Sequence, residues 1–236
     1  MTTHVAGVDG CRGGWVVAVG ELADDAITSV RITVVGALRD VLHESAAHIA
    51  VDMPIGLPNE AVPGGRSADR AARALLGPRK SSVFSPPVRG VLACEAYQDA
   101  LRVMRASSSH GIGLTKQCWN IVPKIREVDD LLRQDTDARG RIVEAHPEVC
   151  FAAMAGGPMQ HRKATTAGDD ERRRALRAVG IVIDTAAHAS RDVKPDDILD
   201  AYACMWTAGR RARGTAARVP ESDERDAQGL QMTIWS

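Results

Sequence analysis

The stretch Val5-Ala6-Gly7-Val8-Asp9-Gly10-Cys11-Arg12-Gly13-Gly14-Trp15-Val16-Val17-Ala18-Val19 decides how the rest of the chain is read. Two apolar runs flank a short glycine-rich turn, a pattern that predicts a β-hairpin, with glycine supplying the backbone conformations such turns require. Asp9 interrupts the pattern. A carboxylate approached by apolar residues on both sides is expensive to desolvate unless a cation or several donors receive it. Asp9 is therefore a candidate site residue, although Asp is also common in turns for local reasons.

Working outward, 27–35 reads as a third strand, completing an antiparallel meander. A helical face through 38–47 follows. Ile49-Ala50-Val51-Asp52-Met53-Pro54 is then a short apolar strand stopped by proline. A strand reached through a helical crossover is expected to run parallel to the first. Asp9 and Asp52 are thus expected near the same end of neighbouring strands.

Between about 55 and 140 glycine and proline punctuate helical segments, predicted at 67–76, 94–106 and 121–134, which read as a helical insertion in one domain spanning 1–236. The whole chain is neutral, with 30 basic and 30 acidic residues, but Ala61 to Arg126 holds eleven basic residues against three acidic ones. A fifth strand is expected over 141–146, then helices over 147–155 and 169–179. A last helix opens at Lys194-Pro195-Asp196-Asp197 and ends near Gly209, and 229–235 reads as a final edge strand. The five cysteines are scattered and never in a Cys-x-x-Cys pair, which argues against a zinc knuckle or a disulfide framework. No apolar run is long enough to span a bilayer, and the expectation is a cytoplasmic protein without a membrane partner. Aromatic content of 3% weighs against a base-stacking platform.

Carboxylates recur at strand ends and at one helix start: Asp9, Asp52, Glu144, and the group Asp196, Asp197 and Asp200. Gathered at one end of a sheet they would repel one another unless divalent cations compensate, and an all-oxygen set suits Mg²⁺ or Mn²⁺. Asp196 reads as an ordinary helix-start acid. Asp197 and Asp200 lie one turn apart, where a shared ion would turn repulsion into a ligand pair. Arg79, Lys80, Ser82, Lys116, Gln117 and Lys124 are candidate phosphate contacts, set against the bland alternative that exposed basic residues are merely solvated. His146 and Glu148 read as capping or core residues.

These motifs together resemble the family called domain of unknown function 429, the predicted RNase H-like nucleases. The resemblance is carried by Gly7-Val8-Asp9-Gly10-Cys11-Arg12-Gly13-Gly14-Trp15, Val51-Asp52-Met53-Pro54-Ile55-Gly56-Leu57-Pro58, Ser81-Ser82-Val83-Phe84, Lys116-Gln117, Pro123-Lys124-Ile125-Arg126-Glu127-Val128-Asp129, Glu144-Ala145-His146-Pro147-Glu148 and Asp196-Asp197-Ile198-Leu199-Asp200-Ala201. It implies an α/β RNase H-like fold: a five-stranded mixed sheet, strands one to three antiparallel, four and five parallel to the first, flanked by helices. It also implies that metal-binding carboxylates come from the first strand, the fourth strand and the last helix, that is Asp9, Asp52 and Asp200 or Asp197. Glu144 is a less usual donor. The function so implied is metal-dependent phosphodiester hydrolysis on nucleic acid, with Asp9, Asp52, Glu144, Asp197 and Asp200 catalytic: Asp9, Asp52 and Asp200 hold Mg²⁺ or Mn²⁺, Asp197 or Glu144 completes the shell or orients water, and the basic insertion grips phosphates. Two alternatives are an ATPase or phosphotransferase of actin-like type and a binding module without chemistry. The oligomeric state is open, and a homodimer is compatible with the chain.

Overall fold

The structure, a computed structural model, describes residues 3–24, 26–183, 185 and 188–236. β1 (Thr3–Cys11) and β2 (Gly14–Ala23) form the expected hairpin, with Cys11 paired to Gly14 across the turn. Of the turn glycines it is Gly14 that requires its residue type: its φ is 127°, and a Cβ there would lie 2.2 Å from the Val35 carbonyl oxygen. β3 (Ala26–Val35) pairs antiparallel with β2. The segment read as a helix through 38–47 is a 3₁₀ turn, Leu38–Glu44, that buries Leu38 and Val41 three residues apart, as a three-residue period dictates.

β4 (His48–Val51) then returns parallel to β1, and β5 (Ile142–Glu144) parallel to β4. The sheet order is β3-β2-β1-β4-β5, a five-stranded mixed sheet with helices on both faces, consistent with an RNase H-like arrangement. Between β4 and β5 lie α1 (Ser67–Leu76), α2 (Tyr97–Ala106), α3 (Lys116–Gln134) and α4 (Thr136–Arg141). α3 starts five residues before the expected 121, capped by Thr115, whose hydroxyl accepts the Cys118 N–H at 3.1 Å; it carries Pro123 in its interior. After β5 come α5 (Pro147–Ala155), α6 (Thr166–Ala178) and α7 (Pro195–Ala212).

Strand alternation divides the core. Ala6, Val8, Val17, Ile49, Val51 and Ile142 face a layer that includes Ile125 and Val128 of α3. Val5, Val16, Ala18, Ala50 and Val143 face the other layer, which includes Leu199, Ala203 and Cys204 of α7. Gly7 points to the α7 side, where a Cβ would come within 2.0 Å of both the Ala201 carbonyl oxygen and the Met205 nitrogen. The missing side chain lets α7 lie directly on β1.

The tail departs from expectation. Only Ile234–Trp235 is a strand, β7, and it pairs with β6 (Arg218–Val219) in a separate two-stranded sheet. A single bridge, Ala145 to Trp235, ties it to the main sheet. The preceding residues are drawn away, since Met232 N–H donates to Glu224 and Arg225 bridges Gln231. Among the described residues no helix is long and apolar enough to cross a membrane.

Candidate metal centre

Asp9 follows Val8 on β1, and Asp52 follows Val51 at the end of β4; Val8 and Val51 are register partners. The Asp52 N–H continues that ladder by donating to the Val8 carbonyl at 2.9 Å. Both aspartates have the parity of Gly7 and Ala50, so alternation directs them to the α7 face. There the close approach over Gly7 brings in Asp200 from the second turn of α7. One carboxylate oxygen from each of Asp9, Asp52 and Asp200 lies within 4.8 Å of the others. Asp9 and Asp200 are buried and Asp52 is half-buried.

Three acids this close and this dry resist ionisation. Burial, then Asp52, Asp200 and Asp197, push the Asp9 carboxyl well above the ordinary range. Burial raises Asp52 to about 7, with Lys163 opposing and Glu148 adding to the rise. Burial raises Asp200 to about 6, again against Lys163. Hydrogen bonding does little to relieve them: Asp9 accepts the Gly10 N–H at 2.7 Å and Asp200 the Lys163 ammonium at 2.8 Å. The donor set, three carboxylates with free oxygens at one locus, fits a hard divalent cation.

Glu144 stands apart. It is the register partner of Val51 and shares its face, so alternation turns it away from the α7 side. Arg66 receives it, with Nη2 to Oε1 at 2.6 Å and Nη1 to Oε2 at 2.8 Å, while the Ile55 N–H donates to Oε2 at 2.7 Å. Arg66 also binds Asp69, and all three are buried. Glu144 lines the same cavity as the aspartates, with its two oxygens engaged in a buried ionic network that pins the loop after β4 to α1. Asp196 and Asp197 both lie in the first turn of α7: Asp197 caps the helix, accepting the Lys194 N–H at 2.9 Å, while Asp196 lies 3.4 Å from Lys163. Asp197 still lines the cavity over the carboxylates, and burial raises its pKa.

That cavity has a volume of about 440 Å³. Of the expected phosphate contacts, Arg79, Ser82, Gln117 and Lys124 line it; Lys80 and Lys116 do not. Lys116 is exposed and lies over the Tyr97 ring at 5.2 Å. Lys124 is held by the hairpin, donating to the Gly14 carbonyl and lying 4.3 Å over the Trp15 ring. Much of the insertion's positive excess is engaged internally. Arg66 binds carboxylates, Arg89 binds Asp129 and Asp226, Arg73 donates to the Val83 and Gly64 carbonyls, and Arg126 to those of Leu92 and Cys94.

Lys163 is the residue that sequence reading missed. It sits in the α5–α6 connection, where nothing local marks it. Burial works against its ammonium, but Asp200, Asp196 and Asp9 outweigh that and hold its pKa above the usual lysine value. Its loop is built: Glu171 accepts the Gln160 and His161 N–H groups at 2.8 and 2.9 Å, and a Cβ on Gly168 would lie 1.9 Å from the Arg162 carbonyl oxygen. Buried Arg172 binds both Glu148 and the Gly168 carbonyl, so Glu148, read as a capping or core residue, anchors the loop that carries Lys163. His146 lies against the Ser82 carbonyl at 3.3 Å, and burial lowers its pKa.

Fold and site together define an α/β protein with an RNase H-like sheet order and a buried aspartate triad, drawn from the first strand, the fourth strand and the last helix, that could hold a divalent metal. The chain belongs to the family described as protein of unknown function (DUF429), whose family model matches residues 7–225. Comparisons with curated proteins and with solved structures return no match.

Proposed function

We propose that this protein is a metal-dependent phosphodiester hydrolase acting on nucleic acid. The observation that carries the reading is the convergence of Asp9, Asp52 and Asp200 within 4.8 Å at the floor of a cavity. These three would hold Mg²⁺ or Mn²⁺. When bound there, such an ion supplies charge neutralisation at phosphorus and acidifies a water.

The chain's own residues then divide the remaining work. Lys124 and Arg79 line the same cavity and are the cations available to phosphate oxygens; Lys124 is oriented by Trp15 and Gly14 rather than by an acid. Ser82 and Gln117 offer neutral donors along the wall. Lys163, ion-paired to Asp200, offsets part of the carboxylate charge.

A second reading, hydrolysis of a phosphate ester in a small nucleotide, is favoured by the cavity's volume of about 440 Å³, which is in the range of small-molecule sites. The deciding experiment incubates purified protein with Mg²⁺ or Mn²⁺ and single-stranded, duplex and branched DNA and RNA, alongside nucleotides. Cleavage of a polymer that Asp9→Asn abolishes, with Mn²⁺ affinity also lost by calorimetry and folding intact, supports the nuclease. Turnover of nucleotides alone supports the second reading. Metal binding without any hydrolysis rejects both.

A further inference from the structure

A second cavity, of about 230 Å³, lies beside β5, where α4, the end of α7 and the tail meet. Three arginines line it: Arg139, Arg211 and Arg225. The one acid in its wall is Glu144, whose two oxygens are taken by Arg66. Arg211 is half-buried, with its guanidinium on His48 Nδ1 at 2.7 Å and on the Gly140 carbonyl at 3.1 Å. It pairs with no carboxylate among the described residues, and burial lowers its pKa with no acid to offset it. Arg139 donates to the Leu132 carbonyl at 2.9 Å, and Arg225 binds Asp223 at 3.1 Å.

Two further wall residues hold polar atoms that the protein leaves unsatisfied. Thr233 is 1% exposed and its Oγ1 has no hydrogen-bond partner among the described residues. The Trp235 Nε1 is likewise buried and unpartnered, in a ring that has the Arg211 and Arg218 guanidinium carbons at 5.9 and 5.7 Å. Buried polar groups are ordinarily bonded, and Arg211 has an imidazole and a carbonyl, not an acid, as its partners. Here positive charge and idle donors meet around one small space.

We propose that this cavity is a binding site for a small phosphate-type oxyanion, separate from the carboxylate site. Arg211 would be its inner contact, Arg139 and Arg225 the mouth, and Thr233 and Trp235 donors that small shifts bring onto the anion. The space admits a phosphate group with water and excludes a whole nucleotide, so the source is free phosphate or the terminal phosphate of a longer molecule.

The test is calorimetric titration of the full chain, in chelator and at constant ionic strength, with inorganic phosphate in one arm and adenosine monophosphate in the other. Wild type is expected to bind phosphate. Arg211→Gln should weaken binding by about tenfold or more, as loss of one charge-assisted contact does. Thr233→Val, which keeps the shape and removes only the idle hydroxyl, should weaken it several-fold and decides the matter if Arg211→Gln unfolds. Arg102→Ala, at an exposed arginine outside both cavities, should leave affinity unchanged. Binding of the nucleotide with the same dependence on Arg211 and Thr233 assigns the terminal phosphate as ligand; phosphate binding alone assigns the free anion. No phosphate binding up to about 20 mM, or binding retained in both Arg211→Gln and Thr233→Val, overturns the proposal.

Discussion

Replacing Asp52 by Asn should stabilise the metal-free protein at alkaline pH. Asp52 has a folded-state pKa of about 7, against an ordinary value of 3.8. The native state therefore holds a proton that the unfolded chain releases, and stability falls as pH rises from about 4 to 7 and is level above that. The accumulated cost is on the order of 2 kcal/mol at pH 5 and 4 kcal/mol at pH 8, with solvent at this half-buried position screening part of it. Asn carries no such cost. In chelator at pH 8, Asp52→Asn should melt higher than wild type by as much as roughly 10 °C, at the usual few degrees per kcal/mol for a chain of this size. The gain should shrink by about half at pH 5. Mn²⁺ at a thousand times Kd should close the gap, because wild type gains about 4 kcal/mol there and the variant has lost a ligand. Calorimetric melting of both proteins at the two pH values, with and without metal, makes the comparison. An Asp52→Asn that is no more stable than wild type at pH 8, or a difference that ignores pH, would refute the reasoning that these carboxylates are buried together.

Further predictions follow from neighbouring contacts. Lys163→Met removes the cation that competes for Asp200, so Mn²⁺ affinity measured by calorimetry should rise several-fold; an unchanged or lower affinity would place the lysine outside the site. Arg66→Met leaves Glu144 and Asp69 buried without their partner and should cost about 3–5 kcal/mol in urea unfolding, whereas an exposed pair such as Arg102 and Asp99 should cost under about 1 kcal/mol. Gly7→Ala forces α7 off β1, and a loss of about 4 kcal/mol or more, with weakened Mn²⁺ binding, should be seen even though residue 7 is not a ligand.

How much of this was legible beforehand depends on the range of the interaction. The hairpin, the parallel return of β4 and the last helix follow from local patterns: apolar alternation, a turn glycine, a proline stop and a capped amphipathic segment. Those patterns also set Asp9 and Asp52 at adjacent strand ends, since parallel pairing of neighbouring strands leaves little freedom in where their ends fall. The partner of Glu144 was not legible: one residue of register decides which layer a side chain enters, and the register of β5 on β4, which sets Glu144 against Arg66, is not visible locally. The basic excess of the insertion was visible as composition, but composition does not say that Arg66, Arg73, Arg89 and Arg126 turn inward to carbonyls and carboxylates. The tail's apolar alternation resembled an edge strand until its own loop contacts withdrew it.

By itself, then, the sequence determined the strand order, the parity of β1 and β4 and the candidate acids Asp9, Asp52 and Asp200, because these follow from local patterns at strand ends and a helix start. Only the tertiary structure shows how Asp200 reaches the two strand-end acids, through the approach of α7 over the bare backbone of Gly7. The same is true of Lys163, carried in from the α5–α6 loop, and of Glu144, bound to Arg66. Each of these choices is made by groups distant in the chain, whose meeting depends on how packed layers settle against one another.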